Sequence, residues 1–350
     1  MSQTKLYSSI LAKIGAERSK LLSEAKLKAL TETRNLGEFV AQLQDTIYKE
    51  QTAKIAIPVT SRKIERAVKE KQIETYINII KSSPERSEDF LRLHITRFEV
   101  ENIKTLIKAV MTRLSREQKL SKIYLSAEGF LKKRAVFEEA AEATDVKEVV
   151  TAFDKTQYGA TLKMGLDSYE ENGATACLDV LLDKQYYEKL YDAYQALPTK
   201  DKAHAYFYAS TEIDSYVLLT LLRAKNLKYD VNWLRLAVPT QKFKLPEETV
   251  EAMVTADNFD SALKIAQQTY YGRFFSKSQT SEETVANAEN TFKKALLNHA
   301  KEGRLTELFN IGAALAFMTQ KGAEVNNLIV ASLGVEAALT PEEIQRQMQL

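Results

Sequence analysis

The sequence predicts an all-α protein made of three similar helical domains, and three observations carry this prediction. Glycine (11) and proline (6) together make up roughly 5% of the 350 residues, against about 12% in a typical protein. The apolar residues recur at the spacing of buried helix faces rather than in alternation. Two separate elements also recur along the chain with one common period of about 112 residues, which is typical of a repeated domain.

The first repeated element is a short amphipathic helix. Its three copies read NLGEFVAQLQDTIY (35–48), DVKEVVTAFDKTQY (145–158) and NFDSALKIAQQTYY (258–271). Each copy opens on a residue whose short polar side chain can cap the first backbone N–H groups, which predicts helix caps at Asn35, Asp145 and Asn258. Each copy ends in Thr-x-Tyr, for which we expect a role in packing at the helix end.

The second repeated element contains a glutamate, a β-branched residue and then small polar residues. Its copies read FEVENIKTLIKAV (98–110), TEIDSYVLLTLLRAK (211–225) and AEVNNLIVASLG (323–334). The glutamates are Glu99, Glu212 and Glu324, which are 113 and 112 positions apart. Because two unlike elements share one period, the chain is predicted to be a triplicated helical unit.

The unit boundaries follow from interruptions in the helical pattern. One lies near SAEGFLKK (126–133) and another at AVPTQKFKLPEET (237–249), which contains two prolines. We therefore predict a leading helix at 1–19 and repeat units at 20–127, 128–240 and 241–350. A unit of about 110 residues is large enough to hold its own core.

The charge balance and the apolar runs exclude several classes of protein. Lysine and arginine (49) nearly cancel aspartate and glutamate (47), which argues against a surface for nucleic acid. The longest clean apolar run, YVLLTLL (216–222), is far shorter than the roughly 20 residues that span a bilayer. The first residues lack the continuous apolar segment of a signal peptide. We therefore expect a soluble protein with no direct bilayer insertion.

No local motif for catalysis, cofactor binding or metal binding is present. The three histidines (His94, His204 and His299) lack ligand spacing, and we expect them at solvent or interfaces. The chain has no phosphate-binding glycine loop. The repeated glutamates could act as acids or bases, but catalysis needs only one copy, and the favoured interpretation is structural. The single cysteine, Cys177, is expected to be buried.

The stretch KGAEVNNLIVASLGVEAALTPEEIQRQM (321–348) resembles the C-terminal signature of the C subunit of archaeal-type and vacuolar-type rotary ATPases, whose eukaryotic counterpart is the d subunit. The other two copies are similar to the equivalent helices of this family, and length and triplication also fit. The matching positions in the three copies include Asn102, Glu212, Asp214, Arg223, Lys225, Glu324, Asn327, Gly334 and Pro341.

Two places depart from the family pattern. Ser215 and Tyr216 stand where the family often has asparagine and an aliphatic residue. Val335 and Glu336 replace a basic pair that usually follows the last glycine. These departures indicate a divergent member of the family.

The resemblance implies a funnel of three helical domains with pseudo-threefold symmetry. Such a protein sits peripherally at the cytoplasmic face of the membrane, on the rotor ring of c/K subunits, and receives the central shaft of the D and F subunits. It would carry torque between ring and shaft during proton or sodium transport, without catalysis and without a cofactor. The alternatives are an all-helical scaffold or adaptor unrelated to the ATPase, and, less favoured, an all-α enzyme.

Overall fold

The computed structural model describes residues 3–303 and 309–350, and within them every regular element is a helix. The all-α prediction is therefore confirmed for this part of the chain. The helices in the first half are α1 (Gln3–Arg18), α2 (Glu24–Thr31), α3 (Leu36–Gln42), α4 (Lys49–Thr52), α5 (Ser61–Ile80), α6 (Glu85–Met111), α7 (Arg116–Leu120), α8 (Leu125–Leu131), α9 (Arg134–Ala140), α10 (Val146–Ala152) and α11 (Gly159–Asn172).

The regular elements described in the second half are also helices, and they include one short 3-10 helix at Gly272–Phe274. Its α-helices are α12 (Ala176–Ala196), α13 (Thr199–Asn226), α14 (Val231–Ala237), α15 (Glu247–Thr255), α16 (Phe259–Gln268), α17 (Ser281–Glu302), α18 (Gly312–Glu336) and α19 (Pro341–Gln347). In the part of the chain that the structure describes, no helix is both long enough and apolar enough to span a membrane.

The chain divides into two compact units. One contains residues 1–88, 198–205 and 290–350, and the other contains residues 89–197 and 206–289. The predicted leading helix corresponds to α1, although its first two residues lie outside the described residues. Residues 304–308 of the predicted third repeat unit also lie outside them. The repeat boundaries at 127 and 240 and the threefold funnel stay predictions.

In the first unit, the beginning and the end of the chain share one core. Helix α18 packs along α5 and also contacts α1, α2 and α3. Leu30 and Phe39 come from the N-terminal helices, Leu328 and Ile344 from the C-terminal ones, and all four are at most 1% exposed. Burial of such side chains contributes about 1.5–3 kcal/mol each. The helix face that the apolar spacing at 36–43 predicts is therefore buried against segments almost 300 positions away in the sequence.

Gly334 lets α19 approach α18 closely within this unit. A Cβ atom at this position would overlap the side chain of Ile344, which is 1% exposed and belongs to the shared core. The glycine of the family signature is thus needed here because of a close approach of two helices.

The second unit contains residues 89–111 of α6 and 206–226 of α13. Helix α11 packs along α12, α10 contacts α9 and α11, and α14 contacts α12 and α15. The short helices α9 and α10 meet through Phe137 and Phe153, whose rings are edge to face with centroids 5.0 Å apart. Cys177 is 4% exposed in this unit, as expected from the sequence.

The three long helices α6, α13 and α18 end in the same way. At each end, one residue adopts the left-handed conformation, and the next N–H bonds to the carbonyl five residues back, at 3.0–3.2 Å. This is the Schellman ending, which glycine usually adopts most easily. Here the left-handed residues carry side chains: Arg113 (φ 53), Lys228 (φ 58) and Ala338 (φ 54).

A capped short helix follows each of these endings. The cap comes two positions after the left-handed residue, and its side-chain oxygen accepts backbone N–H groups of α7, α14 or α19. The three caps are Ser115, Asp230 and Thr340. The sequence does not predict this third repeated element, because its residues differ in every copy.

Candidate functional site

The Thr-x-Tyr ends of the short helices fold into one repeated turn. In every copy, the threonine hydroxyl donates to the carbonyl three residues earlier at 2.7 Å. The same hydroxyl accepts the N–H of the tyrosine at 3.1–3.2 Å. Each turn aims its tyrosine into the protein, where the ring is at most 2% exposed: Tyr48, Tyr158 and Tyr271. The conserved geometry within the chain explains why both residue types recur together.

Tyr48 meets the carboxylate of Glu324 on α18. Its phenol donates to Glu324 Oε1 at 2.5 Å, and Lys321 Nζ lies 2.5 Å from the same oxygen. Glu324 Oε2 accepts the backbone N–H of Leu22. Lys321 is 0% and Glu324 5% exposed, so the ion pair is buried. Burial lowers the pKa of Lys321 and raises that of Tyr48 well above its ordinary value.

Tyr158 meets Glu99 on α6 in the second unit. Its phenol donates to Glu99 Oε2 at 2.8 Å, and Lys133 Nζ lies 2.5 Å from Glu99 Oε1. Glu99 is 1% exposed, and both of its carboxylate oxygens accept a donor. Burial, followed by the charge of Glu99, raises the pKa of Tyr158 well above its ordinary value.

Tyr271 meets Asp214 on α13 rather than Glu212. Its phenol donates to Asp214 Oδ2 at 2.9 Å, and the backbone N–H groups of Phe243 and Lys244 donate to the same carboxylate at 2.9 and 2.8 Å. Asp214 is 0% exposed, and this burial raises its pKa despite the three donors. Glu212 instead pairs with Arg97 at 2.6 Å.

The register of the helix ends explains why Asp214 takes this place. Each tyrosine-bound carboxylate lies 14 positions before the left-handed residue that ends its helix: 99 to 113, 214 to 228 and 324 to 338. Glu212 lies 16 positions before it. Sequence similarity aligns Glu212 with Glu99 and Glu324. The structural equivalent of these two glutamates is Asp214, two positions later.

The tyrosine and the carboxylate of each pair come from different copies of the sequence repeat. A long helix is completed by the Thr-x-Tyr segment of the next copy, and α18 is completed by the segment of the first copy. Such a long helix and the Thr-x-Tyr segment bound to it are called a module. The predicted boundaries at 127 and 240 separate the two members of every pair.

Asn102 and Asn327 hold the segment that follows their long helix. Asn102 donates to the carbonyl of Tyr124 at 3.2 Å and accepts its N–H at 2.8 Å. Asn327 bonds the carbonyl and N–H of Gln349 at 2.8 and 2.7 Å. In both copies the clamped residue lies 22 positions after the asparagine. The two side chains thus fasten the end of the short helix to the long one.

The second copy lacks this clamp. By the register of the helix ends, Val217 stands at the asparagine position and Pro239 at the clamped position. Proline has no N–H group, so an asparagine there could make only one of the two bonds. The Tyr216 hydroxyl instead donates to the carbonyl of Ala237 at 3.3 Å. The departure of Tyr216 from the family pattern therefore has a structural role.

Glu336 also has a structural role where the family usually has a basic residue. Its carboxylate accepts the N–H of Ser61 at 3.1 Å and the hydroxyl of the same serine, at the first turn of α5. These bonds lower the pKa of Glu336. A carboxylate at a helix N-terminus is also favoured by the helix dipole.

The three asparagine and aspartate residues that open the short helices lie at their N-caps. Each side chain accepts a backbone N–H three residues later, at 2.8–3.0 Å. The caps and their donors are Asn35 with Glu38, Asp145 with Glu148, and Asn258 with Ser261. Such a cap contributes about 1 kcal/mol.

The geometry of these residues suits a structural role better than acid–base chemistry. Glu99, Asp214 and Glu324 are buried and already accept several hydrogen bonds. Among the described residues, no group of three or more His, Cys, Asp or Glu side chains could hold a metal ion. His94, expected at solvent or at an interface, is partly buried in the second unit, and this burial lowers its pKa to about 4.

Comparisons with known proteins cover almost the whole chain. A sequence profile described as ATP synthase (C/AC39) subunit matches residues 10–347. The C subunit of the A-type ATP synthase of Methanothermobacter thermautotrophicus is 26% identical over 343 residues, which cover 96% of this chain and 86% of the relative. The protein of the same name from Thermococcus kodakarensis is 27% identical over 341 residues, 97% of this chain and 89% of the relative. The chain therefore belongs to the ATP synthase (C/AC39) subunit family.

Proposed function

We propose that this chain is a non-catalytic central-stalk subunit of an A/V-type rotary ATPase or ATP synthase. It couples the membrane rotor ring to the central shaft, formed by the D and F subunits, during proton or sodium transport. The observation that carries the proposal is the family match over residues 10–347, together with relatives that are named as C subunits of A-type ATP synthases. Its place is at the cytoplasmic face of the membrane, held there through protein partners.

The construction of the chain supports a mechanical role. A part that transmits torque must resist deformation, and close-packed helices have low compressibility. Each of α6, α13 and α18 is tied to a Thr-x-Tyr segment by a buried carboxylate with several donors. In each module the carboxylate joins the long helix to its Thr-x-Tyr segment. This structural use supports a function in which the chain catalyses no reaction.

The proposal predicts a specific loss when the chain is removed from the complex. We expect ATP hydrolysis by the soluble head to continue, while ion-driven ATP synthesis in sealed vesicles is lost. Adding back the purified chain should restore synthesis, which controls for damage during removal. Loss of head hydrolysis, or ATP synthesis that persists without the chain, would contradict the coupling role.

The location predicts a second result. In a native membrane fraction the chain should copurify with ATPase subunits and leave the membrane when salt or detergent strips the soluble head. Recovery of the whole population free of ATPase subunits would favour the alternative of an unrelated scaffold.

A further inference from the structure

Glu128 on α8 is a buried carboxylic acid close to Glu99 of α6. Its side chain is 0% exposed, and its Oε1 accepts a hydrogen bond from Asn102 Nδ2 at 2.7 Å. Its other oxygen, Oε2, is buried and has no hydrogen-bond partner among the described residues. A charged carboxylate with such an oxygen would carry a large desolvation cost.

The two charged groups that act on Glu128 are Glu99 and Lys133, and they form an ion pair with each other. On α6, Glu99 lies one turn before Asn102 and adds a negative charge close to Glu128. Lys133, just before α9, is paired with Glu99 Oε1 at 2.5 Å, and the phenol of Tyr158 donates to Glu99 Oε2. The ammonium group of Lys133 and the phenol of Tyr158 therefore both bond to Glu99, and no bond from either to Glu128 is present.

The next basic group in this cluster is Lys189 on α12, and it also has another partner. Its ammonium bonds the Oε1 of Gln157 and lies 5.5 Å from the centre of the Tyr158 ring. Glu128 thus has the neutral amide of Asn102 on one oxygen and no hydrogen-bond partner among the described residues on the other. A neutral acid suits this environment better than a carboxylate, because burial of an uncharged group costs much less and needs no second ion pair.

We propose that Glu128 is a proton-binding site, which holds its proton in the folded protein at neutral pH. Glu99 is the carboxylate that bonds to Lys133 and Tyr158, and Glu128 keeps the proton. Burial, followed by the charge of Glu99, raises the pKa of Glu128 to about 8. An unfolded chain releases the same proton near the ordinary pKa of glutamic acid, about 4.3.

This difference couples one proton to the stability of the folded chain. Between pH of about 4.3 and 8, the folded state binds the proton and the unfolded state does not. The contribution of this site is therefore complete at low pH, falls as pH rises through this window and becomes constant above the folded pKa. Release of the proton places a second negative charge beside Glu99 in a buried site.

A carboxyl titration tests the proton site directly. In the full chain with carbon-13-labelled glutamate side chains, we expect one carboxyl signal to titrate near pH 8 and to be absent from Glu128→Gln. Glu138→Gln is the matched control, because Glu138 forms an exposed pair with Arg134 and its removal should leave the signal in place. If every glutamate of the wild-type chain titrates below pH 5.5, the proposal is overturned.

Unfolding in urea gives an independent measurement on the same variants. Relative to Glu128→Gln, the folding equilibrium constant of the wild-type chain should fall about tenfold for each pH unit between pH 5 and pH 7. Parallel pH profiles of the two proteins would contradict the proposal. Because the titration of the wild-type chain needs no variant, the proposal can be tested even if Glu128→Gln does not fold.

Discussion

The phenol of Tyr48 donates a 2.5 Å hydrogen bond to Glu324, a residue 276 positions further along the chain. The equivalent bonds of Tyr158 to Glu99 and of Tyr271 to Asp214 span only 59 and 57 positions, and in them the carboxylate comes first. The repeated sequence therefore forms three comparable bonds, of which one joins the two ends of the chain within a single compact unit.

Replacing each of these tyrosines by phenylalanine should destabilise the chain to a similar extent. Tyr48→Phe, Tyr158→Phe and Tyr271→Phe keep the buried ring and remove a hydrogen bond to a carboxylate, which contributes about 1.5–3 kcal/mol. The free energy of unfolding in urea measures this loss. Tyr206→Phe is the control, since this ring is 37% exposed, and it should change stability little. An effect equal to that of the control at all three sites would show that the repeated bonds are not stabilising.

The buried pair of Lys321 and Glu324 should show strong coupling between the two side chains. Lys321→Met or Glu324→Gln alone leaves one buried group without its ionic partner, and we expect a loss of about 3–5 kcal/mol. The double variant should lose clearly less than the sum of the two single losses. The exposed pair of Lys54 and Glu50 is the control, and its double-mutant cycle should give a coupling of at most about 1 kcal/mol. Additive losses at Lys321 and Glu324 would contradict the buried pairing.

Asp214 and Glu212, both on α13, should contribute differently to the stability of the folded chain. Asp214→Asn replaces a buried acceptor of three hydrogen bonds, and we expect it to cost about 1–3 kcal/mol or more. Glu212→Gln removes a surface pair with Arg97 and should cost below about 1 kcal/mol. Thermal and urea unfolding of both variants check this order. The reverse order would mean that Glu212, as its sequence similarity suggests, is the structural equivalent of Glu99.

Glycine at the left-handed helix endings should stabilise the protein. Side chains in this conformation cost about 1–2 kcal/mol, and glycine removes that cost. Allowing for the greater freedom of glycine in the unfolded chain, we expect a gain of up to about 1 kcal/mol for Lys228→Gly or Ala338→Gly. Lys294→Gly, in the exposed interior of α17, is the control and should lose about 1 kcal/mol. Equal losses at all three positions would contradict the left-handed assignment.

The sequence predicts the helical class well, because helix formation depends on local chemistry. Scarcity of glycine and proline favours helix wherever the apolar spacing supports it. A short polar residue before an apolar run has few other roles than a cap, and Asn35, Asp145 and Asn258 indeed accept N–H groups at the starts of their helices.

Which Thr-x-Tyr segment binds which long helix could not be predicted, because the repeat period does not identify the carboxylate that each tyrosine meets. Tyr158 lies between Glu99 and Asp214 in the sequence, at 59 and 56 positions, so distance along the chain does not choose between them. The register of the second copy was also ambiguous, since Glu212 and Asp214 are both acidic. The Schellman endings could not be recognised because none of them uses glycine.

The 276 positions between Tyr48 and Glu324 also have a consequence for synthesis on the ribosome. At about 5–20 residues per second, the carboxylate emerges roughly 14–55 seconds after its phenol. During that interval the core side chains of the N-terminal helices, such as Leu30 and Phe39, have not yet met α18. We therefore expect the nascent N-terminal segment to be the part of this chain that depends most on chaperones.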